Sequence, residues 1–121
     1  MKRNLMIMGL ALAALSVCAQ TSEVRLSVSL TGNGKGKGKW VQKIRGTQYQ
    51  AELEVGAENL RPNSAYLVSI SNGFSAWTMT DAFGKFNVAR RYTARGTAVT
   101  AGNTVVVSNS AGATVLSGSF R

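Results

Sequence analysis

From Val24 onward, apolar side chains fall at every second position, the period of a pleated strand with one buried face. Val24, Leu26, Val28 and Leu30 alternate with Glu23, Arg25, Ser27 and Ser29. In Gln48 to Ala57 the pattern is sharper. Tyr49, Ala51, Leu53, Val55 and Ala57 share one face, and Gln48, Gln50, Glu52 and Glu54 the other. Trp40 to Arg45 reads as a short strand ended by Gly46. Ala65 to Ser71 follows, with Tyr66, Val68 and Ile70 inward. Asn72-Gly73 is a strong hairpin signal leading into Phe74 to Thr80. Asp81-Ala82-Phe83-Gly84 suits a type I turn, with Asp first and Gly last, before Lys85 to Arg91. Residues 92 to 103 are the least patterned; a short strand at Thr97 to Thr100 fits there. Thr104 to Ser108 and Ala113 to Phe120 complete the series. No segment after residue 19 has sustained helical spacing. The expected fold is all-β: an antiparallel β-sandwich or small barrel of seven to eight short strands.

The first nineteen residues follow another rule. Lys2 and Arg3 precede an apolar run from Leu5 to Val17, and Val17-Cys18-Ala19 supplies small residues before Gln20. This is the pattern of a cleaved signal peptide, with residues 20 to 121 as a single domain. The run is shorter than the ~20 apolar residues a membrane-spanning helix needs. A transmembrane barrel is not expected either, because its strands need about 9–11 residues. The expected location is therefore secreted, periplasmic or at the cell surface. Leu15-Ser16-Val17-Cys18 loosely resembles a lipidation signal at Cys18, but Val17 replaces the usual small residue, which favours cleavage after Ala19. Cys18 is the only cysteine, so the mature chain is expected to carry no thiol and no disulfide.

The formal charge is +9, and +7 once Lys2 and Arg3 leave with the leader. Part of that charge is concentrated. In residues 31 to 39, Lys35, Lys37 and Lys39 alternate with Gly34, Gly36 and Gly38, and Trp40, Lys43 and Arg45 follow. Glycine-rich composition reads as a flexible loop, and exposed backbone N–H groups with lysine charges read as an anion contact. The segment lacks the spacing and the following helix of a phosphate-binding P-loop. Trp40 and Trp77 are the candidate aromatic contacts; Trp77 falls on the strand face opposite Phe74 and Ala76, where burial in the core is the commoner outcome.

The residues oppose catalysis. With no histidine, no Ser-His or Cys-His pair exists, and no Gly-x-Ser-x-Gly or Ser-x-x-Lys motif is present. Glu52 and Glu54 lie about 6–7 Å apart by strand rise, near the separation of glycosidase carboxylates, but on the polar face of their strand. No metal or other cofactor is expected; Asp81 reads as a cap of its own turn.

Three stretches carry a resemblance: Leu60-Arg61-Pro62-Asn63-Ser64-Ala65-Tyr66, Thr80-Asp81-Ala82-Phe83-Gly84-Lys85-Phe86 and Val115-Leu116-Ser117-Gly118-Ser119-Phe120. Together they resemble small exported bacterial β-sandwich domains of cell-surface proteins. The Thr80–Phe86 stretch is also similar to a hairpin of carboxypeptidase-regulatory-like, transthyretin-type domains. The resemblance implies a structural or interaction module and transfers no catalytic residue. The functional expectation is a non-enzymatic structural or adhesive module of the envelope or exterior, partnered by another envelope protein or by anionic polymers. Its alternative is a polyanion-binding protein acting through residues 32 to 45. Mass spectrometry of the exported protein is expected to give Gln20 as the first residue; a diacylated Cys18 would contradict cleavage after Ala19.

Overall fold

The computed structural model describes residues 21–96 and 98–121. The leader, Cys18 and Thr97 lie outside the described residues.

Eight strands form: β1 (Thr21–Gly32), β2 (Lys35–Arg45), β3 (Gln48–Glu58), β4 (Ala65–Ile70), β5 (Ser75–Met79), β6 (Phe86–Tyr92), β7 (Thr104–Asn109) and β8 (Thr114–Ser119). They belong to one antiparallel sheet in the order β5-β4-β7-β8-β1-β2-β3-β6. Of the two expected architectures, it is the barrel that forms. β1 pairs with β2 on one side and, through Thr31 and Gly32, with β8 on the other. Ser27 and Arg121 exchange backbone hydrogen bonds of 3.0 Å beyond that short ladder. The sheet is thus continuous through β1, and its twist curls it into a nearly closed barrel.

Alternation then fills the interior. Val28 and Leu30 of β1, Leu53 and Val55 of β3, Val68 and Ile70 of β4, Val105 and Val107 of β7 and Leu116 of β8 are all buried. Phe120 closes the core from the C-terminal end at 1% exposure. Each such side chain contributes roughly 1.5–3 kcal/mol through the apolar area it removes from water.

Two expectations from sequence are corrected. Ala98 to Thr100 form no strand, although Val99 is buried in the core. Residues 31 to 39 are not a flexible loop. Only Asn33 and Gly34 turn, and β1 and β2 pair from Thr31↔Lys35 to Thr21↔Arg45. The glycines are explained by packing. Gly36 and Gly38 share the inward face of β2 with Trp40. A Cβ at Gly36 would press into the carbonyl oxygen of Gly56, and one at Gly38 would lie 3.0 Å from Val28 Cγ1 and 3.1 Å from the Glu54 carbonyl oxygen.

Hydrogen bonds clip the turns together. Thr80, buried at 4% exposure, donates its hydroxyl to the Arg61 carbonyl at 2.6 Å and accepts the Ser64 N–H at 2.9 Å. Tyr66 accepts the Arg61 N–H at 3.1 Å. The Asp81–Gly84 turn docks on the same segment, with Leu60 N–H donating to the Gly84 carbonyl at 3.1 Å. β4 and β5 form the expected hairpin around Asn72-Gly73. β5 and β6, by contrast, are neighbours in sequence yet the two ends of the sheet. β6 pairs with β3, and the barrel stays open between β5 and β6.

Gly36→Ala is expected to cost about 1–3 kcal/mol through overpacking against backbone. Gly96→Ala, where an added Cβ meets nothing within 4 Å, serves as the control. Equal urea midpoints for the two variants would contradict the packing role of Gly36.

Candidate functional site

The period of two that turns glycines inward turns Lys35, Lys37, Lys39, Lys43 and Arg45 outward, and all five are exposed. They form a row on the outer face of β2, a strand hydrogen-bonded to β1 and β3 along its length. Its backbone N–H groups are committed to those ladders, so the expected wrapping of an anion by exposed glycine N–H groups does not apply. What β2 presents is a ridge of side-chain ammonium and guanidinium groups. At 3.3–3.4 Å per residue it runs for roughly 33 Å.

The neighbouring strands tune this ridge. On one side, β1 sets Ser29 and Ser27 opposite Lys37 and Lys39. On the other, β3 sets Glu58 opposite Lys35 and Glu54 opposite Lys39, and the ion pairs measure 3.3 and 3.6 Å. Glu52 holds Arg91 of β6 at 2.8 Å, and Glu23 holds Arg25 on β1. Glu52 and Glu54 are therefore charge partners of basic neighbours. Lys37, Lys43 and Arg45 have no ion-pair partner among the described residues; Lys37 sits between Gly56 and Ser29. Exposed pairs of this kind contribute about 0–1 kcal/mol, so they hold the lysines only weakly.

The five cations were visible in the sequence, but the acidic partners of Lys35 and Lys39 were not. The signal was present: the two-residue turn at Gly46-Thr47 fixes the β2–β3 register, which puts Lys39 opposite Glu54 and Lys35 opposite Glu58.

One end of the ridge opens into a cleft of about 820 Å³. It lies where β5 and β6 fail to pair. Lys35, Lys37 and Lys85 bring positive charge to it, Glu58 and Asp81 negative charge, and Met79 an apolar wall. Lys85 enters the site through the Asp81 turn. Asp81 accepts the backbone N–H groups of Phe83 at 2.8 Å and Lys85 at 3.0 Å. These bonds, from Lys85 first and Phe83 second, hold its carboxyl below the ordinary range, with the Lys85 charge adding to the effect.

The two tryptophans separate. Trp40 is 2% exposed on the inward face of β2, so it is no surface contact beside the lysines; its phase is that of the glycines. Trp77 is 60% exposed, and the expectation that it packs in the core is overturned. It points outward with Met79, while Ala76 and Thr78 take the inward positions. Charge is segregated in the same way. Every charged residue within a strand belongs to β1, β2, β3 or β6, and none to β4, β5, β7 or β8.

Among the described residues, no three His, Cys, Asp or Glu side chains gather as a metal site would require. No helix among them is long and apolar enough to cross a membrane. No family model matches the chain, and a search of the curated proteins returns no significant match.

Because the folded pKa of Asp81 is lowered, its contribution to stability is present above the ordinary carboxylate range and lost as pH falls through the folded value. Asp81→Asn is expected to lower Tm relative to the parent near neutral pH, with the gap closing as pH falls below the ordinary carboxylate range and through the folded value. A gap that persists unchanged to pH 2 in thermal melts would show that the charge of Asp81 is irrelevant.

Proposed function

We propose that the protein is a non-enzymatic exported module that adheres to an anionic polymer along the outer face of β2. Polysaccharide, lipopolysaccharide and nucleic acid share the chemistry this face would recognise. The observation that carries the reading is the row of five exposed cations on one face of one rigid strand, three of them without an ion-pair partner among the described residues. A net charge of +7 on the chain after the leader adds long-range attraction.

Rigidity supports this reading. A flexible lysine loop loses side-chain and backbone entropy on binding, whereas a strand paired on both sides has its backbone already ordered. Serines of β1 beside the lysines offer hydroxyl donors to sulfate, phosphate or carboxylate oxygens. The leader pattern supports export, and the lack of histidine and thiol in the chain after the leader supports a non-enzymatic role.

Salt-dependent retention on a heparin column tests the reading. Lys37→Ser with Lys43→Ser is expected to make the slope of log affinity against log salt about 2 less steep, close to one per lost contact. Arg61→Ser with Arg121→Ser removes the same charge away from β2 and is expected to leave the slope nearly unchanged. Equal losses in the two double variants would mean that net charge alone governs retention.

A further inference from the structure

Within the barrel, the inward faces of β2, β3 and β6 meet the Asn72-Gly73 turn around a second cavity of about 290 Å³. Its walls are unusually aromatic. Trp40, Tyr49, Phe74 and Tyr92 line it, with Leu53 and Val99. The Trp40 and Tyr92 rings lie 6.0 Å apart between centroids and are inclined at 48°. The volume suits one ring rather than a chain, since it falls at the small end of ligand pockets, about 300–1,000 Å³.

Two further observations point to what the ring carries. The first is Trp40. It is buried, and its indole N–H has no acceptor among the described residues. A buried donor left without a partner is rare in a folded protein, and an acceptor oxygen on a bound molecule satisfies it. The second is charge. The Arg95 guanidinium lies over the Tyr49 ring, 5.7 Å from its centroid. Arg90 occupies the ladder position opposite Leu53. Neither arginine has a carboxylate partner among the described residues, and no acidic residue lines the cavity.

The geometry points to a binding site for a single ring bearing a carboxylate. The aromatic walls cover the faces of the ring, an oxygen of the ligand accepts the Trp40 N–H, and Arg95, over the Tyr49 wall, neutralises the acid. Guanidinium groups suit this role, because their planar fork matches a carboxylate. Two kinds of molecule have this chemistry: an aromatic acid and a uronic-acid sugar. The site shares no residue with the row on β2, and the inference stands whether or not that row binds a polymer.

The Trp40 indole N–H is itself the reporter. In ¹⁵N-labelled Trp77→Phe protein, the remaining indole resonance belongs to Trp40. Benzoate and glucuronate are titrated separately to about 10 mM, well above the Kd of a single-ring ligand at micromolar to low-millimolar affinity; acetate and glucose are the controls. A saturable downfield shift with at least one ring acid and with neither control is the expected result, and which acid saturates identifies the source. Arg95→Ala, placed in the same background, is expected to weaken that binding at least about fivefold while leaving the ligand-free resonance in place. An indole signal unmoved by both ring acids, a shift that acetate or glucose reproduces, or an affinity unchanged in Arg95→Ala would overturn the inference.

Discussion

The inner side of β2 has almost no room for side chains over its first half, and much of the molecule follows from that. Backbone of β3 and the Val28 side chain of β1 stand where Cβ atoms at Gly36 and Gly38 would go. Three paired strands approach this closely only if the middle one carries glycine on its buried face. Since successive side chains point to opposite sides of a strand, each inward glycine leaves its neighbour facing water. Those neighbours are Lys35, Lys37 and Lys39. Packing therefore demands the glycines and leaves the lysines free, and it is the lysines whose identity calls for a reason beyond the fold.

Charge is distributed unevenly over the sheet. Four of the five acidic residues of the chain lie on the β1 and β3 outer faces, and three of these hold a residue of β2 or β6 in an ion pair. Such exposed pairs stabilise little, but they space the row of cations and keep it from being a uniform field. The other half of the barrel, β4, β5, β7 and β8, carries no charge in its strands and exposes Trp77 and Met79. The charged strand positions and the exposed apolar side chains thus occupy different halves of the sheet.

The strands were legible in the sequence because burial on one face is written directly as a period of two, as in Glu52 to Ala57. Sheet order was not. Nothing local tells Phe86–Tyr92 to pair with β3 instead of returning along β5; that choice is made by the docking of the Asp81–Gly84 turn on Leu60 and Asn63. Residues 31 to 39 misled for a different reason. Glycine disfavours strands through its chain entropy, so composition argues for a loop. Close approach of neighbouring backbone overrides that preference, and the alternation of Gly with Lys in phase with Trp40 was the signal of it. Of the site, the five cations were visible as residue types, whereas their glutamate partners needed the hairpin register. Trp40 and Trp77 exchanged their expected environments, since an isolated aromatic in a strand does not itself say which face is buried.

Amide hydrogen exchange along β2 shows directly whether the glycine–lysine segment is a strand paired on both sides. The N–H groups of residues 35 to 39 are expected to exchange as slowly as those of Leu53 and Val55 in β3, opening only with global unfolding. Exchange at 35 to 39 as fast as in an unstructured peptide, with β3 protected, would contradict it.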